Sequence, residues 1–125
     1  MLTPAKKKYL FVIYELGLNG DKVRSVDIAK ALNIRKASVS NMLPDLIAEG
    51  MLERHEDDGS VIFTKRGARF AGEQYVKYLT LYTFFFEKLG STPDSARHDA
   101  VICLCNLTDE NTENMTNYIL SEATV

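Results

Sequence analysis

The sequence predicts a mainly α protein in which one short β-hairpin interrupts a run of helices. Three observations predict it. Across residues 25–50, apolar residues recur at helical spacing in two blocks, joined by Asn33-Ile34-Arg35-Lys36. After Gly50 the period changes. Residues 51–56 and 61–64 read as two short strands around Asp57-Asp58-Gly59-Ser60, a hairpin turn signal. Beyond Thr64 the helical period returns in Tyr75, Tyr78, Leu79, Tyr82, Phe85, Phe86 and Leu89.

Taken in order, residues 4–18 read as a first helix with Tyr9, Val12, Ile13 and Leu16 on one face, ended by Gly17, Asn19 and Gly20. Lys6, Lys7 and Lys8 form a cationic run near its start, either a solvated helix end or a phosphate contact. The second helix turns Ile28, Ala29 and Leu32 inward, with Ser25 expected as its N-cap. In the third, Val39, Met42, Leu43 and Leu46 form the inner stripe. Ala37, Asn41, Pro44 and Ala48 lie on the opposite side, flanked by Ser38 and Ser40. Arg35 and Lys36 stand where this helix should be capped. Neither is a good cap, and a cation at the positive end of a helix dipole is unfavourable by roughly 0.3–1 kcal/mol. Such a conflict tends to mark function, and two cations here suit phosphates flanking a major groove. Pro44 removes the hydrogen bond to the Ser40 carbonyl, a loss of about 3 kcal/mol in a helix interior. A bend is expected there, which favours Ala37 to Asn41 for base contact.

Two short helices followed directly by a two-stranded hairpin make a winged helix-turn-helix, a pattern of DNA readers. Arg54 and His55 lie in the wing, where Arg54 suits a phosphate or a minor groove and His55 a surface role. Glu56, Asp57 and Asp58 make the wing tip acidic, which argues against deep insertion. Thr64 is the expected N-cap of a long helix reaching about Leu89, closed by Gly90. Its aromatic stripe suits a core or a subunit interface better than base stacking. A further helix spans residues 93–107, with Thr92 as N-cap and Pro93 at its first position, and a last one spans 109–120. The expected division is therefore residues 1–72, a DNA-binding domain, and 73–125, a helical dimerisation domain.

Charge follows the same division. Residues 1–72 carry 12 Lys and Arg against 9 Asp and Glu, and residues 73–125 carry 3 against 8. The net charge of -2 over 125 residues conceals a cationic first part and an acidic second. Cys103 and Cys105 are too few for a disulfide framework and lack zinc-finger spacing. No signal peptide is read at the start, and the apolar run 79–86 is too short to span a bilayer, so a cytoplasmic protein without a membrane partner is expected. No enzyme is expected either. There is no Gly-rich phosphate loop, and His55 and His98 have no evident nucleophile beside them.

Several strings carry a family resemblance. They are Tyr9-Leu10 with Ile13-Tyr14-Glu15-Leu16, Val26-Asp27-Ile28-Ala29-Lys30-Ala31-Leu32, Ser38-Val39-Ser40-Asn41-Met42-Leu43, Glu49-Gly50-Met51-Leu52, Thr64-Lys65-Arg66-Gly67 and Leu89-Gly90. In this order they resemble the iron- and manganese-dependent repressors of the diphtheria-toxin-repressor family, in its short manganese-type form. The resemblance implies a homodimer joined by its C-terminal helices, bound to a palindromic operator on double-stranded DNA, and repression when Mn²⁺ or Fe²⁺ is bound. It also implies a metal site between the first helix and the dimerisation helices. Family members offer Asp or Met at the position of Lys8, Glu at Phe11, His at Leu79, Glu or Cys at Val101, Glu at Leu104 and His at Cys105. A second site uses positions held here by Thr83 and Arg97. Of the first set, only Cys105 is a potential ligand, since Lys8 is cationic and Phe11, Leu79, Val101 and Leu104 have no donor atom. The expectation is an apolar plug, packed as core, where the cation would sit. No cofactor is expected, and Mn²⁺ or Fe²⁺ enters only through the resemblance.

The function expected from the sequence is therefore a DNA-binding transcriptional regulator, a repressor without the metal switch. Ala37, Ser38, Ser40 and Asn41 would meet bases, and Arg35, Lys36, Arg54, Lys65 and Arg66 would hold phosphates. Two alternatives stand beside it: a repressor answering to metal or a small ligand through a rearranged site, and a winged helix used for protein contacts.

Overall fold

The computed structural model describes residues 2–20 and 22–123. The chain forms two compact units, Met1–Gly72 and Glu73–Val125.

The first unit opens with α1 (Pro4–Gly17), α2 (Ser25–Leu32) and α3 (Lys36–Ala48). It continues into the antiparallel pair β1 (Leu52–Arg54) and β2 (Val61–Phe63), which register Leu52 against Phe63 and Arg54 against Val61. Val23 extends this ribbon by an isolated bridge to Val61. Apolar faces of all five elements meet in one core, formed by Leu10, Ile13, Ile28, Val39, Leu43, Leu46, Leu52 and Val61 with smaller neighbours. The expected mainly α architecture with a winged helix-turn-helix at its N-terminal end is what the chain adopts.

One cap was not foreseen and one differs from the expected residue. α1 is capped by Thr3, whose hydroxyl accepts from the Lys6 amide at 3.2 Å. α2 is capped one residue earlier than expected, at Arg24, with Ser25 as its first helical residue. The reason is Asp27, whose carboxylate accepts the Arg24 amide at 3.0 Å and so satisfies the group that a Ser25 cap would leave exposed. The turn between α2 and α3 is set by Asn33 at φ 54°, a left-handed conformation that Asn tolerates better than most residues.

α3 runs through Pro44 without a break. Pro44 and Ser40, the residue whose carbonyl loses its amide partner, are both exposed. α3 ends in a Schellman closure, with Gly50 at φ 77° and the Met51 amide donating to Leu46 O at 3.1 Å.

α4 (Lys65–Thr83) starts in the first unit, and the division between units falls within it. Thr64 caps it as expected, accepting from the Gly67 amide at 3.0 Å while its hydroxyl donates to Gly50 O at 2.6 Å.

In the second unit, α4 does not reach Leu89 as an α-helix. Residues Phe84–Lys88 form a π-helical turn, seen in the Leu89 amide donating to Phe84 O at 3.2 Å, five residues back. Gly90 follows at φ 71°. α5 (Pro93–Asn106) begins at the expected Thr92 cap, and α6 (Asp109–Ala123) runs three residues beyond the expected end at 120. The aromatic stripe divides. Tyr78 and Leu81 are buried with Ala96, Ala100, Leu104 and Cys105. Val76, Leu79, Phe86 and Leu89 remain exposed, as do Tyr118 and Leu120 of α6.

Candidate nucleic-acid interface

The outer face of α3 is built by what its inner face does. Val39, Leu43 and Leu46 are completely buried, which fixes the rotation of the helix about its axis. Ala37, Ser38, Ser40, Asn41, Pro44 and Asp45 are thereby left exposed. Most of the residues expected to meet bases are short, so a helix presenting them can lie close to another surface.

The helix mouth carries its two cations as the sequence implied. Arg35 is the N-cap, makes no capping hydrogen bond with its side chain and is exposed, as is Lys36. Among the described residues no acidic side chain lies in the first turn to offset this cost, and both cations are exposed to an outside anion.

Other cations serve the protein itself. The Arg54 guanidinium donates to Gly59 O at 3.0 Å, bracing the wing turn. Arg66 donates to Glu49 O at 2.8 Å, tying the start of α4 to the end of α3. Each guanidinium keeps further donors, since Arg carries five N–H groups. Lys65 is exposed. Lys6 pairs with Glu49 at 2.7 Å, and this contact raises the Lys6 pKa and lowers that of Glu49. Of the N-terminal run, Lys6 is therefore a structural cation, whereas Lys8 is exposed.

The wing tip is organised by Asp58. Its carboxylate pairs with Lys22 and accepts from both the amide and the hydroxyl of Ser60, at 3.0 and 2.7 Å. These partners, Lys22 first, hold the Asp58 carboxyl far below the usual carboxylate range. His55 accepts the Asp57 amide at 3.3 Å through Nδ1, consistent with a structural surface residue. The Asp-Gly-Ser string announced the turn, but nothing in it announced Lys22 as partner.

The positions where the resemblance implies metal divide by environment. Phe11, Leu104 and Cys105 are buried, Val101 is half-buried, and Lys8 is exposed. Leu79 is 44% exposed, so the expectation of a packed apolar plug fails there. It lies on the uncovered face of α4 with Val76, away from the buried Tyr78 and Leu81. These side chains offer one thiol and one amine in all. That donor set does not fit Mn²⁺ or Fe²⁺, which take several nitrogen and oxygen ligands. Among the described residues, no three His, Cys, Asp or Glu side chains are grouped to hold an ion. His98 and Asp99 pair with each other at 3.1 Å on an exposed surface. Burial raises the thiol pKa of Cys103, with a smaller contribution from Asp99. No helix among the described residues is long and apolar enough to cross a membrane.

Known structures share this architecture. The crystal structure of IdeR from T. acidophilum superposes with a TM-score of 0.79 at 23% identity, over 96% of this chain and 54% of that one. The manganese regulator SloR gives 0.72 at 24% identity, over 94% and 55%. The hypothetical protein SSo2273 from Sulfolobus solfataricus gives 0.62 at 20% identity, over 94% and 89%. At these identities the likeness is one of fold, and the chain spans about half the length of IdeR and SloR. No curated protein matches the chain by sequence. The family described as iron dependent repressor, N-terminal DNA binding domain, matches residues 1–66, more than half of the 125, and the chain belongs to that family.

Proposed function

We propose that this protein is a sequence-specific DNA-binding transcriptional repressor, working in the cytoplasm as a homodimer on a palindromic operator, whose binding is not switched by a metal at the family's position. The observation that carries the reading is α3. Val39, Leu43 and Leu46 of its inner stripe are fully buried, and Ala37, Ser38, Ser40 and Asn41 stand exposed beside Arg35, a cap residue whose side chain makes no capping hydrogen bond. In this reading Asn41 bonds an adenine edge and Ala37 touches a thymine methyl. Arg35, Lys36 and Lys65 hold phosphates, joined by the remaining donors of Arg54 and Arg66.

The first unit binds DNA and the second dimerises. What supports the second role is the apolar surface that the second unit leaves exposed, Val76, Leu79, Phe86 and Leu89 with Tyr118 and Leu120. The absence of a metal switch is supported by side-chain chemistry at Lys8, Phe11, Leu79, Val101 and Leu104.

The test is a genome-wide DNA pull-down with the full chain, with and without chelator. The same discrete fragments are expected in both. Fragments lost on chelation would overturn the unswitched reading. No enriched fragment at all would overturn the DNA reading in favour of protein contacts, which the acidic wing tip of Glu56, Asp57 and Asp58 favours.

A further inference from the structure

The exposed face of α3 continues past the residues assigned to base contact. Ala37, Asn41 and Asp45 are spaced by four, and all three are exposed. Residues i and i+4 are neighbours on one helix face. The helix continues through Pro44, and the Asp45 carbonyl accepts the Glu49 amide at 3.0 Å as a helical residue does.

Among the described residues the Asp45 carboxylate forms no ion pair: the Lys6 ammonium contacts Glu49 at 2.7 Å, and Asp45 acts on it only through space. Arg35 and Lys36 sit at the other end of the helix. An acidic side chain therefore stands on the surface that the proposed function lays against DNA.

There a carboxylate is repelled by every phosphate and offers acceptors only. Guanine and thymine present acceptors in the major groove, while cytosine presents the N4 amino group as its polar group there. Adenine pairs a donor with an acceptor, which suits an amide such as Asn41 better than a carboxylate. Four residues of helix rise about 6 Å, against about 3.4 Å per base pair, so Asp45 stands about two base pairs from Asn41.

We infer that Asp45 is a specificity-determining residue that accepts a hydrogen bond from the N4 amino group of a cytosine, about two base pairs from the base met by Asn41. The inference rests on the DNA-reading function proposed above. Its second consequence is discrimination against unrelated DNA. Where no cytosine amino group meets it, the carboxylate is left facing acceptors and phosphates, and binding weakens.

The test is selection of duplexes from a randomised pool by the full chain and by its Asp45→Asn and Asp45→Ala variants, with thermal melting of each protein. The parent is expected to select a site with cytosine at one position near the adenine. Asp45→Ala should lose that preference by about tenfold, keep the other positions, and bind scrambled duplex more tightly. Asp45→Asn should shift the same position away from cytosine. An identical selected site in parent and variants overturns the inference while leaving the DNA-reading function intact. A uniform loss at every position together with a lower melting temperature also overturns it, because that is the mark of a structural role beside Lys6. A parent that selects no sequence overturns the DNA reading itself, and the inference with it.

Discussion

Single residues explain why the junction between wing and long helix has its composition. A Cβ on Gly67 would lie 1.9 Å from the Met51 carbonyl oxygen and 2.7 Å from its carbonyl carbon. Both are backbone atoms, so relief requires the chain itself to move. Thr64 works on the same contact from the other side, donating to Gly50 O and accepting from the Gly67 amide. The string Thr64-Lys65-Arg66-Gly67 is thus one device: a cap, a solvent-facing cation, a tie to Glu49 and a point of close approach. Gly67→Ala should lower stability by about 2–3 kcal/mol, read as a lower urea midpoint. An unchanged midpoint would mean that the close approach to Met51 is not kept in solution. The sequence showed that a glycine stands here, but the atom it makes room for lies 16 positions away.

At the scale of elements, α3 shows how a local rule can be broken without breaking the helix. Pro44 has no amide to give the Ser40 carbonyl, and both residues lie on the exposed side of the helix. The completely buried Val39, Leu43 and Leu46 hold the helix against the core on either side of the lesion. The roles proposed along α3 separate in measurement. Asn41→Ala should relax sequence preference, with similar operator and scrambled affinities. Arg35→Ala should weaken binding to all duplexes and flatten the dependence of log K on log salt by about one unit. These two outcomes, measured by salt-dependent titration of both duplexes, exclude each other for a given residue. An Arg35 variant with altered sequence preference and an unchanged slope would place a base, not a phosphate, at the helix mouth. The aromatic segment gives a second case. Helical spacing through Leu89 was legible, but the π turn at Phe84–Lys88 was not, because five-residue and four-residue hydrogen bonding place similar side chains on a face.

The whole molecule is organised by an asymmetry of surface rather than by composition. The cations lie mainly in residues 1–72, and the exposed apolar side chains of the second unit lie on α4, the π turn, α5 and α6. Leu79 belongs to this second pattern. Its position is one where the resemblance implies a metal ligand, and here it is an exposed apolar residue. If this surface joins two copies, Leu79→Glu with Phe86→Glu should convert a dimer to a monomer in sedimentation equilibrium, and weaken operator binding by removing the second half-site. A double variant that sediments as the parent does would assign dimerisation to another surface.

The sequence by itself determined the order of elements, the winged helix-turn-helix, the helix caps Thr64 and Thr92, and the family. These depend on periodicity, turn chemistry and short motifs, which are local. It also determined that Phe11, Leu79, Val101 and Leu104 carry no donor atom, because that is a matter of side-chain identity. Only the tertiary structure decided which cations are already engaged, since Glu49 O, Gly59 O and the Glu49 carboxylate are brought to Arg66, Arg54 and Lys6 by folding. It likewise decided that Arg24 caps α2, that Leu79 is exposed rather than packed, and that α3 runs through Pro44 with Asn41 and Asp45 both exposed. Each of these depends on what covers a group or on how a helix is held. Burial and long-range contact are not written in the spacing of residues along the chain.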